Sequence, residues 1–144
     1  MSDIILKGKV VHPGFFRGEA IVSRRGFGFF RAIDPVTGIV RDKRNELCGQ
    51  NIAGRVLVFP EGHGSTSGSM MIAELARRGT HFKAMVNRKT ESILATGIIL
   101  ADKFFGKVIP AIHDFEIDPI ELIETGDIIT VNGNTGEVGV RKRG

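Results

Sequence analysis

The chain has 144 residues, 42% hydrophobic and 25% charged, which fits one globular domain over 1–144 with room for a proper core. No apolar run approaches the roughly 18 residues of a membrane helix, and the N-terminus MSDIILKGKVV lacks the pattern of a secretory signal, so a cytoplasmic protein with no membrane partner is expected. The net charge of +4 is spread along the chain apart from the RKRG tail. With Tyr and Trp absent, it suits an anionic ligand or an acidic partner as well as it suits nucleic acid, and no nucleic-acid partner is expected.

In chain order, IILKGKVV (4–11) and GEAIVS (18–23) read as strands joined by a turn at HPGFFRG. FGFFRAI (27–33) reads as a third strand. DPVTG (34–38) is then a turn in which Asp opens, Pro fixes φ and Gly closes. GRVLVFP (54–60) is a continuous apolar run bounded by Gly and Pro, as in a strand buried on both faces. SGSMMIAELARRG changes to helical spacing: Met71, Leu75 and Arg78 step by three or four, and Gly79 is a C-cap after two arginines. FKAMVN (82–87) is a short strand. TESILATGIILADKFFG (90–106) is a helix with Thr90 or Ser92 as N-cap and Gly106 as stop, and KVIPAI (107–112) is another strand. GDIITVNGNTGEVGV is a hairpin, with Ile and Val alternating on both sides of NGNTG. The fold class is therefore α/β, with a central, mostly parallel β-α-β-α-β unit and a C-terminal hairpin. Ligands of such units gather beyond the carboxyl ends of the strands.

FPEGHGSTSGS (59–69) occupies that position, between the most buried-looking strand and a helix N-terminus. Unpaired backbone N–H groups and the helix dipole prepare such a place for an anion. Gly62, Gly64 and Gly68 let a ligand approach the main chain, and Ser65, Thr66, Ser67 and Ser69 offer hydroxyls. No Lys follows the last glycine, so it is not a Walker loop. A plain reading remains beside this one: one serine caps the helix and the glycines turn the chain.

GKVVHPGFFRGEAIVS, AIDPVTGIVRD, GQNIAGRVLVFPEGHGSTSGS and ESILATGIILADKFFGKVIPAI together resemble the small, swivelling subunit of the aconitase X family, in the same order and from Gly8 to Ile112. The resemblance implies a swivelling β/β/α domain and the small subunit of a two-subunit hydro-lyase. Phosphomevalonate dehydratase, acting in isoprenoid synthesis, is the first reading, and cis-3-hydroxy-L-proline dehydratase is the alternative. In the wider aconitase superfamily the swivel loop reads Gly-Ser-Ser-Arg, and its first serine takes the substrate proton as an alkoxide. The matching residue is Ser65. Gly62, His63, Gly64, Thr66, Ser67 and Gly68 are then substrate-binding. Ser67 stands where aconitase has an arginine, and His63 where aconitase X usually has Arg or Lys. RNELCGQ (44–50) departs from a more usual His-Pro before the Leu. The resemblance places an iron–sulfur cluster on a large catalytic subunit. With one cysteine, this chain cannot hold a cluster, and it is expected to be inactive alone.

The swivelling domain of phosphoenolpyruvate-using enzymes is similar in fold but carries a histidine where this chain has Thr66-Ser67-Gly68, which makes phosphotransfer a poor reading. The histidines His12, His63, His81 and His113 show no pair at ligand spacing, and no metal site is expected. Cys48 reads as a small buried apolar residue and Asn87 and Asp34 as turn residues. Phe27, Phe29 and Phe30 read as core or subunit interface. His113-Asp114 is discounted as a catalytic pair, because neighbours on a strand face opposite ways.

Overall fold

The computed structural model describes residues 3–29, 31–62, 66–90 and 92–143. Its strands are β1 (Ile4–Lys7), β2 (Lys9–His12), β3 (Phe15–Val22), β4 (Val56–Phe59), β5 (Ala84–Asn87), β6 (Ala111–His113), β7 (Ile128–Asn132) and β8 (Glu137–Arg141). Its helices are α1 (Thr66–Arg78), α2 (Ser92–Phe105) and α3 (Pro119–Leu122). The strands join in the order β1-β8-β7-β3-β4-β5-β6-β2. β3 to β6 run parallel, as the expected β-α-β-α-β unit requires. β1, β8 and β7 add an antiparallel half on the other side of β3, and β2 pairs antiparallel with β6.

β1 and β2 stand at opposite ends of that order, yet only Gly8 separates them in sequence. The sheet must therefore curl until its ends meet. Gly8 N donates to Gly136 O (2.9 Å) and Gly133 N to Gly14 O (2.7 Å), tying the β7–β8 turn to the start of the chain.

Period-two alternation divides the parallel strands between two cores. Ala20, Val22, Val56, Val58, Ala84, Val86 and Ile112 face the inside of the curl, where they meet Leu6, Ile129, Val131, Val138 and Val140. Their neighbours Ile21, Leu57, Phe59, Met85 and Ala111 face outward. α1 and α2 cover them with Ile72, Leu75, Leu94 and Ile98. This is why VLVF is apolar at every position. Phe27, Phe29, Phe59 and Phe82 pack in the outer core with ring centroids 4.9–6.0 Å apart.

Most boundaries follow local chemistry. Arg77 and Arg78 end α1, and Gly79 takes the left-handed conformation (φ 77°) that favours glycine at a C-cap. In the 34–38 turn, Gly38 N donates to Asp34 O (2.8 Å) and Val36 N to Asp34 Oδ1 (3.0 Å). Three expectations need correction. Residues 27–29 and 31–33 are not a strand. Phe27 and Ile33 make isolated bridges, and the chain turns at Arg31, whose φ is 56°. Residues 107–110 precede the strand rather than belong to it; Pro110 has no N–H to give a ladder. The run 4–11 is two strands broken at Gly8. The helix α3 was not expected, although Asp118 is its N-cap and Pro119 its first residue. Phe30 lies outside the described residues.

Candidate active site

The carboxyl ends of β3, β4, β5 and β6 form one rim. From it β4 delivers Pro60, Glu61 and Gly62, and α1 starts at Thr66. The tip of the loop, His63, Gly64 and Ser65, lies outside the described residues, and so do the side chains of Thr66 and Ser67. Gly68 is buried in the first turn of α1.

Two anchors fix the beginning of this loop. Phe27 bridges Gly62 in parallel, and its N–H donates to Glu61 O (2.9 Å). From the other side, Lys89 N donates to Pro60 O (3.1 Å). Gly62 is buried, and a Cβ there would run into the Leu94 side chain of α2. That is a packing reason for glycine, additional to the ligand contact expected from the sequence.

The rim carries both cations (Arg24, Arg25, Arg88, Lys89) and carboxylates (Glu46, Glu61, Asp114, Asp118), several of them tied to one another. Glu46 Oε1 accepts the N–H groups of Arg24 (2.5 Å) and Arg25 (2.9 Å), which shapes the chain as it leaves β3. The Arg24 guanidinium donates to Ile120 O (2.9 Å). Arg88 pairs with Asp118 (2.7 Å), and the hydrogen bond to that carboxylate raises the arginine's pKa further. The side chains of Arg25 and Lys89 stand exposed beside the loop anchors.

A chain of hydrogen bonds links the strand ends. Asn87 Nδ2 donates to Phe59 O (3.2 Å), Thr90 Oγ1 to Asn87 Oδ1 (2.9 Å), and Thr90 N to His113 Nδ1 (2.9 Å). Nδ1 of His113 is therefore an acceptor, and the ring proton of the neutral form sits on Nε2. Burial lowers the His113 pKa. Asp114 opposes this shift, and Lys9 and Lys89 add to it. Asn87 is thus fully buried and a turn lock, as its sequence context implied. Asp114 pairs outward with Lys9 (3.1 Å), and it does not engage His113 as a catalytic partner would.

Other notable side chains lie elsewhere. His81 is buried just before β5, with Lys83 Nζ 3.2 Å from its Nε2 and no partner for Nδ1. Burial first, then Lys83 and Lys107, push its pKa down to about 4. His12 on β2 meets Asp102 of α2 at 3.0 Å. Cys48 corrects an expectation: it is exposed, in the turns over 42–50, and its neighbour Leu47 fills the core instead. Among the described residues, no three His, Cys, Asp or Glu side chains come together to hold a metal ion. The described part of this chain therefore does not fit an iron–sulfur cluster. Sequence reading missed the Glu46 clamp because its partners are more than twenty residues away, with no local pattern to mark them. The Asn87–Thr90 pair had a local signal, two turn-forming side chains three residues apart.

A helix N-terminus beside exposed cations is a place where an anion can bind. The aconitase X swivel domain matches residues 5–140. The chain belongs to that family. It is 38% identical over 144 residues to the phosphomevalonate dehydratase small subunit of Methanosarcina mazei, covering 100% of this chain and 96% of that one. It is 43% identical over 135 residues to the phosphomevalonate dehydratase small subunit of Methanocaldococcus jannaschii, covering 94% and 96%. Among solved structures, the holo-form crystal structure of Thermococcus kodakaraensis aconitase X contains a similar chain. That chain is 37% identical with a TM-score of 0.86, over 96% of this chain and 99% of that one. The α/β fold and the family expected from the motifs are both shown by these likenesses. Among the described residues, no helix of this aconitase X swivel domain is long and apolar enough to cross a membrane.

Proposed function

We propose that this chain is the small subunit of a cytoplasmic phosphomevalonate dehydratase, a two-subunit hydro-lyase that forms anhydromevalonate phosphate for isoprenoid synthesis. The observation that carries the reading is end-to-end likeness, at 38% and 43% identity, to subunits of that name. The rim supports it: exposed Arg25 and Lys89 flank the loop, and the substrate carries both a phosphate and a carboxylate.

In this reading Ser65, which immediately precedes the first helical residue, acts as an alkoxide. A serine is a poor base until its anion is stabilised, and the unpaired N–H groups and dipole of a helix N-terminus supply that. The alkoxide takes the proton from the carbon next to the hydroxyl-bearing carbon. The freed pair forms the double bond, and the carbon–oxygen bond breaks as hydroxide leaves. Gly62, His63, Gly64, Thr66, Ser67 and Gly68 hold the substrate's anionic groups, His63 as a hydrogen-bond donor. In this reading the iron–sulfur cluster would be held by the large subunit, where it would supply a Lewis acid for the departing hydroxide.

Reconstitution tests this. Purified small and large subunits are assayed together and apart, with phosphomevalonate and with cis-3-hydroxy-L-proline. Dehydration of phosphomevalonate by the pair only is the expected result. Dehydration of hydroxyproline alone would move the chain to the other branch, and dehydration by the small subunit alone would end the reading.

A further inference from the structure

Among the described residues, α1 and α2 carry an exposed apolar groove that the rim does not use. α1 and α2 touch closely at Ser69 and Gly97, where a Cβ on Gly97 would fall 2.8 Å from the Ser69 carbonyl oxygen. Along their outer edges the same helices line a groove of about 600 Å³ with Met70, Met71, Leu100, Phe104 and Phe105. Met70 is 62% exposed and Phe104 73%. Side chains of this size left open to water side by side mark a surface that another surface covers.

We propose that this α1–α2 groove docks the large subunit through an apolar segment edged by acidic residues. The inference rests on the two-subunit reading above, and two observations direct it to that partner. The first is reach. A standard interface takes about 800 Å² from each side, a patch of roughly 16 Å radius. α1 rises about 1.5 Å per residue, so Glu74 stands about 12 Å from Thr66, where the candidate loop joins the helix. A large subunit that closes over the loop at a normal footprint therefore covers the groove as well.

The second is charge. Among the described residues, Glu74 is the only ionised one that lines the groove. Its carboxylate accepts from Arg77 Nε (2.7 Å) and Nη2 (2.8 Å) and from Arg78 Nε (2.7 Å), and these bonds hold its pKa at about 2. With both arginines, the border at Glu74 carries two cations to one anion. An apolar segment with acidic edges is its complement, whereas a second copy would bring the same cations face to face.

The test titrates full-length wild-type and variant chains with the large subunit. Met70→Glu/Phe104→Glu is expected to bind about tenfold or more weakly, the scale of losing anchors at an interface centre. Its lone-chain thermal melt should stay near wild type. Phe15→Glu, equally open on the antiparallel half, should bind within about twofold of wild type, as a non-contact surface position does. Hydrogen exchange on the wild-type pair should show protection at 70–74 and 100–105. Unchanged affinity of the double variant, or no protection there, overturns the proposal. So does a wild-type chain that binds no large subunit, or a double variant that loses only self-association and thereby points to a second copy. A wild-type pair that assembles through the groove but dehydrates neither substrate refutes the functional reading and leaves the docking surface standing.

Discussion

β4 and β5 bury every residue, Val56–Phe59 and Ala84–Asn87, whereas β7 alternates between buried and half-buried and β1 buries only Leu6. The difference follows from what covers each half. The parallel strands have the curl's interior on one face and α1 and α2 on the other. The antiparallel strands close the curl and leave their second face to water, where Arg17 meets Thr130 (2.9 Å) and Arg141 meets Asp3 (3.0 Å). A frame buried on both sides is closely packed. The candidate site stands at the carboxyl rim of that half, and the other half completes the curl.

Matched truncations would break this contrast most visibly. Phe59→Ala should cost about 3–5 kcal/mol, the range for emptying a buried aromatic site. Phe15→Ala, at an exposed position, should stay within about 0.5 kcal/mol. Denaturant unfolding of both variants checks this, and similar costs would dissolve the distinction between the halves.

His81 sharpens the same point through pH. Its folded pKa of about 4 lies below the ordinary 6.5, so between those values the unfolded chain binds a proton that the folded one refuses. Its contribution is fully present above pH 6.5 and is lost as pH falls toward 4, by roughly 3 kcal/mol. His81→Gln should flatten that part of the stability curve. An unchanged slope in the variant would show that His81 is not the source.

Gly62→Ala is the smallest change. Crowding Leu94 should cost about 1 kcal/mol, the low end of overpacking, and Leu94→Ala in the same chain should relieve part of it. Thermal melts of the two singles and the double give the coupling, and strict additivity would mean the loop does not rest on α2 as described.

The parallel half was also the more legible in sequence, and for the same reason. A strand buried on both faces has no polar position, so VLVF announces itself. α1 shows its period and its Gly79 stop, while in the antiparallel half the NGNTG turn is the clear mark. Residues 27–33 misled because Phe27 and Phe29 imitate a half-buried strand. Both are buried, but in an irregular segment that Arg31 turns, and side-chain pattern does not record backbone dihedrals. Cys48 misled because cysteine's usual burial was applied to a chain of turns. At the rim, the loop's position at a strand end was readable. The ties that anchor it, Phe27 to Glu61 and Glu46 to Arg24 and Arg25, were not, since each joins residues brought together only by the fold.

The turnover of Ser65→Ala in the assembled two-subunit enzyme tests the central claim most directly. With phosphomevalonate as substrate, kcat should fall by about two to four orders of magnitude, the scale of losing an acid–base group. KM and the thermal melt should stay near wild type, since a loop hydroxyl that only caps a helix contributes about 1 kcal/mol. A kcat within a few-fold of wild type, with a small loss of stability, would contradict the account and leave the loop as a helix cap.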